Sequence, residues 1–148
     1  MKLTADYMLN THGILLRRCQ QVAQALFMEE ARDLDFSPTQ FSALAFIDIE
    51  PGIHQNRLGE QIALDRSSVT KCAEILEERG LIRREVDRKD KRARLLFITP
   101  EGELMLEQVR AAAARARSRI ESAMGAGEFA TFLKNMKAFS EILDKAPV

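Results

Sequence analysis

Apolar residues recur every three or four positions along most of the chain, and only between Leu81 and Ile98 does the pattern change to short, branched runs. The first spacing is that of amphipathic helices and the second that of strands. From about Tyr7 to Arg32 there is no proline, and Leu15, Cys19, Val22 and Leu26, widened by Ile14 and Ala25, form one stripe. This predicts a long first helix. Gly13 weakens its opening turns by roughly 1 kcal/mol relative to alanine, which moves the firm start toward Ile14.

The next start is marked by Phe36-Ser37-Pro38-Thr39-Gln40-Phe41. Ser37 caps the free amides, Pro38 occupies the first helical position, Gln40 completes a capping box, and Phe36 with Phe41 makes a hydrophobic staple. Phe41, Leu44, Ala45 and Ile49 are expected to face the core, and Pro51-Gly52 ends the helix. A short helix over about Gln55–Ile62 buries Leu58 and Ile62, with Gly59 allowing close approach of a neighbour. Asp65 then caps a helix through Arg79 whose Val69, Cys72, Ala73 and Leu76 share one face, and Gly80 ends it in a left-handed turn.

Leu81–Val86 and Ala93–Ile98 read as two antiparallel strands around the exposed loop Asp87-Arg88-Lys89-Asp90-Lys91-Arg92. Thr99-Pro100-Glu101 repeats the cap-and-proline start and opens a helix to about Ala123 along Leu104, Val109, Ala113, Ala116 and Ile120. Gly125 and Gly127 break it. Phe129, Phe132, Leu133, Met136, Phe139, Ile142 and Leu143 form a last stripe. The prediction is a mainly α chain with a small β-hairpin. The terminal helices carry more apolar surface than one monomer of this size needs, and pairing them across a two-fold axis uses it; an intrachain bundle is the alternative.

Composition is ordinary for a folded chain, with 46% hydrophobic and 30% charged residues among 148. Net charge is zero overall, which argues against an anionic partner until its distribution is examined. Arg79 to Arg94 holds 8 basic and 3 acidic side chains, a local +5. Attraction to phosphate is screened beyond roughly 8 Å at physiological salt, so the local value governs. No apolar run approaches the ~20 residues of a membrane span and the N-terminus does not read as a signal peptide, so a cytoplasmic location is expected.

Two helices joined by a tight turn form a helix-turn-helix, whose second helix enters the major groove. Its exposed side chains are Arg66, Ser67, Ser68, Thr70 and Lys71, with short hydroxyls for close approach and cations for charge. Taken alone, that face reads equally well as a solvated surface. The adjoining loop decides for DNA: Arg88, Lys89, Lys91 and Arg92 repel one another without an anionic partner and are placed to reach a neighbouring minor groove. Asp87 and Asp90 are expected to buttress the arginines.

LDRSSVTKCAEILEERGLIRREVDRKDKRARLLFITPEGE, preceded by SPTQFSAL, resembles the MarR family of bacterial transcriptional regulators. The likeness is carried by the D-R-S-S-V-T recognition start, the L-E-E-R-G-L-I-R-R exit, the D-x-x-D-x-R-A loop and the L-F-I-T-P-E-G closure, and it extends over essentially the whole chain. It implies a winged helix-turn-helix lobe over 33–99 and a helical dimerisation region over 5–32 and 100–146, within one unit 1–148. It implies a homodimer on a pseudo-palindromic operator of double-stranded DNA. By the same resemblance Ser67, Ser68, Thr70 and Lys71 contact the major groove, Arg88, Lys89 and Lys91 occupy the wing tip, and Asp90 with Arg92 forms a structural salt bridge. Ala63 stands where the family often has glycine, His54 where it often has a serine or threonine cap, and Arg88 where proline is common.

The expected function is a sequence-specific DNA-binding regulator, with repression as its sign, released by a small aromatic carboxylate. The first helix from His12 to Gln21 resembles members associated with aromatic-acid catabolism. Arg17 or Arg18 would clamp the carboxylate, His12 would orient it, and Phe41, Phe46 and Met105 would form apolar walls; the alternative has the arginines in solvent or paired with Asp48 or Glu50. Two other readings are a redox-sensing regulator using Cys19 and a winged-helix protein-interaction module. Cys72 is expected to fill core. No cofactor or metal is expected, because His12 and His54 lack helical ligand spacing with a second strong ligand, and the sequence offers no catalytic motif, so an enzyme is not expected.

Overall fold

The computed structural model describes residues 2–144, so the limit of 146 expected for the dimerisation region lies outside the described residues. The elements are α1 Ala5–Leu9, α2 His12–Glu30, a 3-10 turn Arg32–Leu34, α3 Pro38–Ile49, β1 Ile53–His54, α4 Gln55–Gln61, α5 Arg66–Glu78, β2 Ile82–Val86, β3 Arg94–Ile98, α6 Pro100–Met124 and α7 Ala126–Ser140. The single first helix of the sequence reading is two helices. Thr4 caps α1 through the Tyr7 amide at 3.1 Å. Asn10 closes it, donating from its backbone N–H and, at 2.8 Å, from its side chain to the Asp6 carbonyl. The Thr11 hydroxyl then takes the Met8 carbonyl at 2.8 Å. Local polar side chains here satisfy the backbone outside a helix, which periodicity does not register. α2 begins at His12, so Gly13 lies inside its first turn.

The hairpin forms as predicted, in register from Ile82↔Ile98 to Val86↔Arg94. A third strand was not foreseen: β1 pairs antiparallel with β3, giving the order β1-β3-β2. Two residues are too few for any alternation to show.

The capping box of α3 is present, with the Gln40 amide 3.1 Å from Ser37 Oγ and the Ser37 amide 2.9 Å from Gln40 Oε1. The face it buries is Ala43, Leu44 and Ile47. Ala45 is half-buried and Ile49 is 72% exposed, correcting the expected face. Ile49 lies five residues beyond Leu44, about 140° round the helix, whereas Ile47 follows it by three. Leu44, Ile47, Ile53, Leu58, Leu76 and Leu96 form the centre of the core. Phe36 is buried with the Arg79 guanidinium 5.0 Å above its ring, and Phe41 stacks on Phe27 at 6.0 Å.

At the start of α6 the Thr99 side chain accepts from the Gly102 amide at 3.1 Å and donates to the Gly80 carbonyl at 2.6 Å. Gly102 packs so tightly on the Leu81 backbone that a Cβ there would collide with the Leu81 carbonyl oxygen. α6 is thereby fixed to the base of the hairpin. It also holds the end of α2, where Arg115 binds the Glu30 carboxylate at 2.8 Å and Arg119 reaches Glu29 at 2.7 Å and Glu30 at 3.2 Å.

α1 buries no residue, α2 only Phe27 and α7 only Phe129. Tyr7, Leu15, Leu16, Val22, Leu133 and Phe139 are exposed along these helices. Among the described residues no helix is long and apolar enough to cross a membrane.

Candidate nucleic-acid interface

α4 ends at Gln61 with Ile62 as its C-cap, and the turn to α5 passes through Ala63 with φ at 56°. Left-handed backbone costs a non-glycine residue roughly 1–2 kcal/mol, so the alanine is held there by its surroundings. The Leu64 amide returns to the Gly59 carbonyl at 2.8 Å. A Cβ on Gly59 would stand 3.1 Å from the Leu64 carbonyl oxygen and 3.2 Å from Val69 Cγ1, which explains the glycine: it lets α5 close on α4. Asp65 caps α5 through the Ser68 amide at 2.7 Å. That hydrogen bond holds the Asp65 carboxyl below its ordinary range.

α5 buries Val69, Cys72, Ala73 and Leu76, as its spacing predicts. Burial pushes the Cys72 thiol up to about 11, so it stays protonated and inert near neutrality. The opposite face presents Arg66, Ser67 and Lys71 to solvent, with Ser68 half-buried. Thr70 belongs only partly to this set. Its hydroxyl donates to the Arg66 carbonyl at 2.8 Å and accepts from Gln55 Nε2 at 3.0 Å. It therefore braces α4 against α5, a role that sequence reasoning did not assign to either residue. Gln55 Oε1 is buried without a partner.

The positive segment divides into two classes. Arg79 donates to the carbonyls of Asp35 and Leu34 at 2.6 and 3.1 Å. Arg84 binds Glu77 at 3.0 Å, Arg83 pairs with Glu85 at 3.0 Å and lies 4.4 Å from the Phe97 ring centre, and Arg94 takes the Lys91 and Ala93 carbonyls, each at 3.3 Å. These four serve the fold. Arg88, Lys89, Lys91 and Arg92 are exposed, and among the described residues none of the four forms an ion pair.

The loop that carries them is ordered by its aspartates. Asp87 Oδ1 accepts from the Lys89 amide at 2.9 Å and Asp90 Oδ1 from the Arg92 amide at 3.0 Å. The expected Asp90–Arg92 salt bridge is thus a contact to the Arg92 backbone; the guanidinium stays in solvent. A short Asp side chain two residues before an amide closes a local turn more readily than it reaches a long side chain held in water. For the same reason the two aspartates buttress the loop backbone, and the arginine side chains stand free. The other oxygen of Asp87 meets His54 Nε2 at 2.9 Å. The Lys89 amide first and His54 second hold the Asp87 carboxyl below its usual range.

The MarR family pattern matches residues 34–93, from the 3-10 turn to the end of the wing loop. A Thauera aromatica protein proposed as the transcriptional regulator of the hcr operon is 30% identical over 126 residues, 84% of this chain and 76% of its own length. The chain belongs to the MarR family. Within it, the transcriptional regulator HosA of Escherichia coli is 35% identical over 91 residues, 62% of this chain; the match spans 66% of HosA, just under two thirds. The PcaV transcriptional regulator from Streptomyces coelicolor, solved in complex with its natural ligand, is 28% identical with a TM-score of 0.83, covering 97% of this chain and 99% of that one. The mainly helical architecture with its small antiparallel sheet is that of the MarR winged helix-turn-helix.

The residues expected to hold an effector are not gathered into one pocket of the single chain. His12 packs near Phe139 of α7, ring centres 6.3 Å apart. Arg17 and Arg18 are exposed, and Glu50, one suggested partner, is bound by Arg57 at 3.0 Å. Phe41, Phe46 and Met105 are half-buried against the core. One shallow concavity of about 540 Å³ is lined by Glu30, Arg115, Ser118, Arg119 and Ser122. Another of about 220 Å³ is lined by Asp48, Glu103, Leu106, Glu107 and Arg110, and neither includes an expected effector residue. Cys19 lies half-buried on α2.

Proposed function

We propose that this MarR-family chain is a homodimeric, sequence-specific regulator of transcription that binds double-stranded DNA, represses, and is released by a small aromatic carboxylate. α5 enters the major groove with Arg66, Ser67, Ser68 and Lys71 toward base edges and phosphates, and the wing loop lies along an adjacent minor groove. The observation that carries this reading is the set of four exposed cations at the wing tip, none in an ion pair among the described residues, in the same lobe as the hydroxyl-bearing face of α5. Four like charges held within five residues favour an anionic partner that neutralises them.

The dimer is supported by the apolar faces of α1, α2 and α7, which one chain leaves in water. The effector is supported by the PcaV complex and by two exposed arginines on α2 that form no ion pair among the described residues. In one chain their surroundings are open, so the site takes its walls from the assembled dimer.

An electrophoretic shift with the promoter beside the chain's own gene tests the reading. Binding is expected at low salt, weakening steeply as salt rises, with each neutralised wing cation flattening the log–log salt dependence by about 1. No shift at low salt, or a shift indifferent to Arg88→Ala with Lys91→Ala, overturns it. Thermal-shift measurement with benzoate-like acids tests the effector: stabilisation is expected and is expected to disappear in Arg17→Ala, Arg18→Ala. Stabilisation that survives both substitutions refutes the clamp.

A further inference from the structure

His54 stands at the junction of three parts of the lobe. It is the last residue of β1, paired with Leu95 of β3, and occupies the position that precedes α4. It makes no side-chain cap to that helix. β1 and β2 flank β3 on opposite sides, so the His54 ring crosses the central strand to reach Asp87, which follows the last residue of β2. The Asp87 carboxylate is ionised and only accepts, which requires Nε2 to carry the hydrogen. One carboxylate oxygen thus faces β1 and the other the Lys89 amide, and the Asp87 amide itself donates to the Ala93 carbonyl at 3.2 Å. Arg94 holds the far side of the same loop through the Lys91 and Ala93 carbonyls.

We propose that His54 is a positioning residue for DNA binding: through Asp87 it ties the wing to the first helix of the helix-turn-helix, fixing where Arg88, Lys89, Lys91 and Arg92 stand relative to α5. The proposal rests on the DNA-binding reading above. A hairpin joined to the lobe only at its base would swing its cations over a range of positions, and each would lose orientation that then has to be regained on binding. The histidine ring is half-exposed and its side chain is spent on Asp87, so its effect reaches DNA through the wing.

A double-mutant cycle read by affinity for the same promoter fragment tests this. His54→Ala is expected to weaken binding about fivefold, the usual size for one lost hydrogen bond, Asp87→Ala by at least as much because it also releases the Lys89 amide, and the two together no more than Asp87→Ala alone. His54→Gln keeps a donor at nearly the Nε2 position and is expected to restore binding to within about twofold, while His54→Asn, one bond shorter, does not. In the Arg88→Ala, Lys91→Ala background the dependence on His54 is expected to shrink, since two of the four cations it places are gone. Additive losses, or a His54→Ala loss undiminished in that background, overturn the proposal and put His54 on DNA directly. Wild-type chain that shifts no DNA overturns the DNA-binding reading itself. Amide exchange at Lys89 then reads the anchor separately: faster exchange in His54→Ala is expected, and unchanged exchange overturns the anchor as well.

Discussion

The lobe from the 3-10 turn to β3 and the helices at the two ends of the chain solve the same problem to different degrees. In the lobe only Ile49 and Val86 are large apolar side chains left exposed, and α3 and α5 each start with a side-chain cap. In α1, α2 and α7 the exposed apolar residues include Leu9, Leu16, Val22, Met136 and Phe139, while α2 and α7 begin without a side-chain cap. A folded monomer that leaves such a face in water is incomplete. The lobe is finished by its own sequence, whereas the terminal helices leave an apolar face that the proposed second copy would cover. Their high apolar content is therefore not a mark of a better core.

The largest effect that separates the two regions is expected from charge on the terminal face. Leu16→Glu with Phe139→Glu removes two apolar side chains that the proposed dimer would bury, worth about 1.5–3 kcal/mol each, and is expected to raise that dimer's dissociation constant about a thousandfold or more. Sedimentation equilibrium reads it. The comparison breaks if the lobe unfolds along with the dimer.

Next in size is Gly102→Ala. The new methyl meets the Leu81 carbonyl, and forced overpacking of this kind costs about 2 kcal/mol, seen as a lower denaturant midpoint. Because that contact joins α6 to the hairpin, loss of cooperativity between the two regions would show as separate transitions.

A smaller effect depends on pH. Asp65 is held below the ordinary value of 3.8 by the Ser68 amide, so its contribution is present above that value and is lost as pH falls through the lower, folded one. Asp65→Asn keeps a capping oxygen but does not titrate. The wild-type advantage in melting temperature is expected to shrink on acidification below 3.8 and to stay level above it. Least of all, Ala63→Gly relieves the left-handed backbone and is expected to gain about 0.5 kcal/mol after the greater chain entropy of glycine is subtracted. A loss instead would show that the alanine methyl is packed and the turn unstrained.

How much of this was legible follows from how local each cause is. Ser37 with Gln40, Asp65 and Thr99 declare their helices because cap and capped amide lie three residues apart. The face of α5 was legible because Val69, Cys72, Ala73 and Leu76 repeat with the helix. β1 was not, since it exists only because β3 offers an edge forty residues later. The wing's cations were visible as a run, but their division into anchored and free classes depends on Glu77, Phe97 and carbonyl oxygens elsewhere in the chain. His54 was visible only as a departure from the usual cap, and its partner Asp87 lies 33 residues away. The effector residues stay scattered because α2, α3 and α6 present them to different surroundings within one chain.

The short passage from Glu30 to Phe36 acquires a mechanical meaning from its fastenings. Arg115 takes the Glu30 carbonyl at 3.2 Å from the side of α6, and Arg79, at the end of the recognition helix, takes those of Leu34 and Asp35. Asp35 itself is in left-handed backbone at φ 49°, a bend with little slack. A joint clamped on both sides is expected to act as a lever, passing a twist of α2 to the last turn of α5.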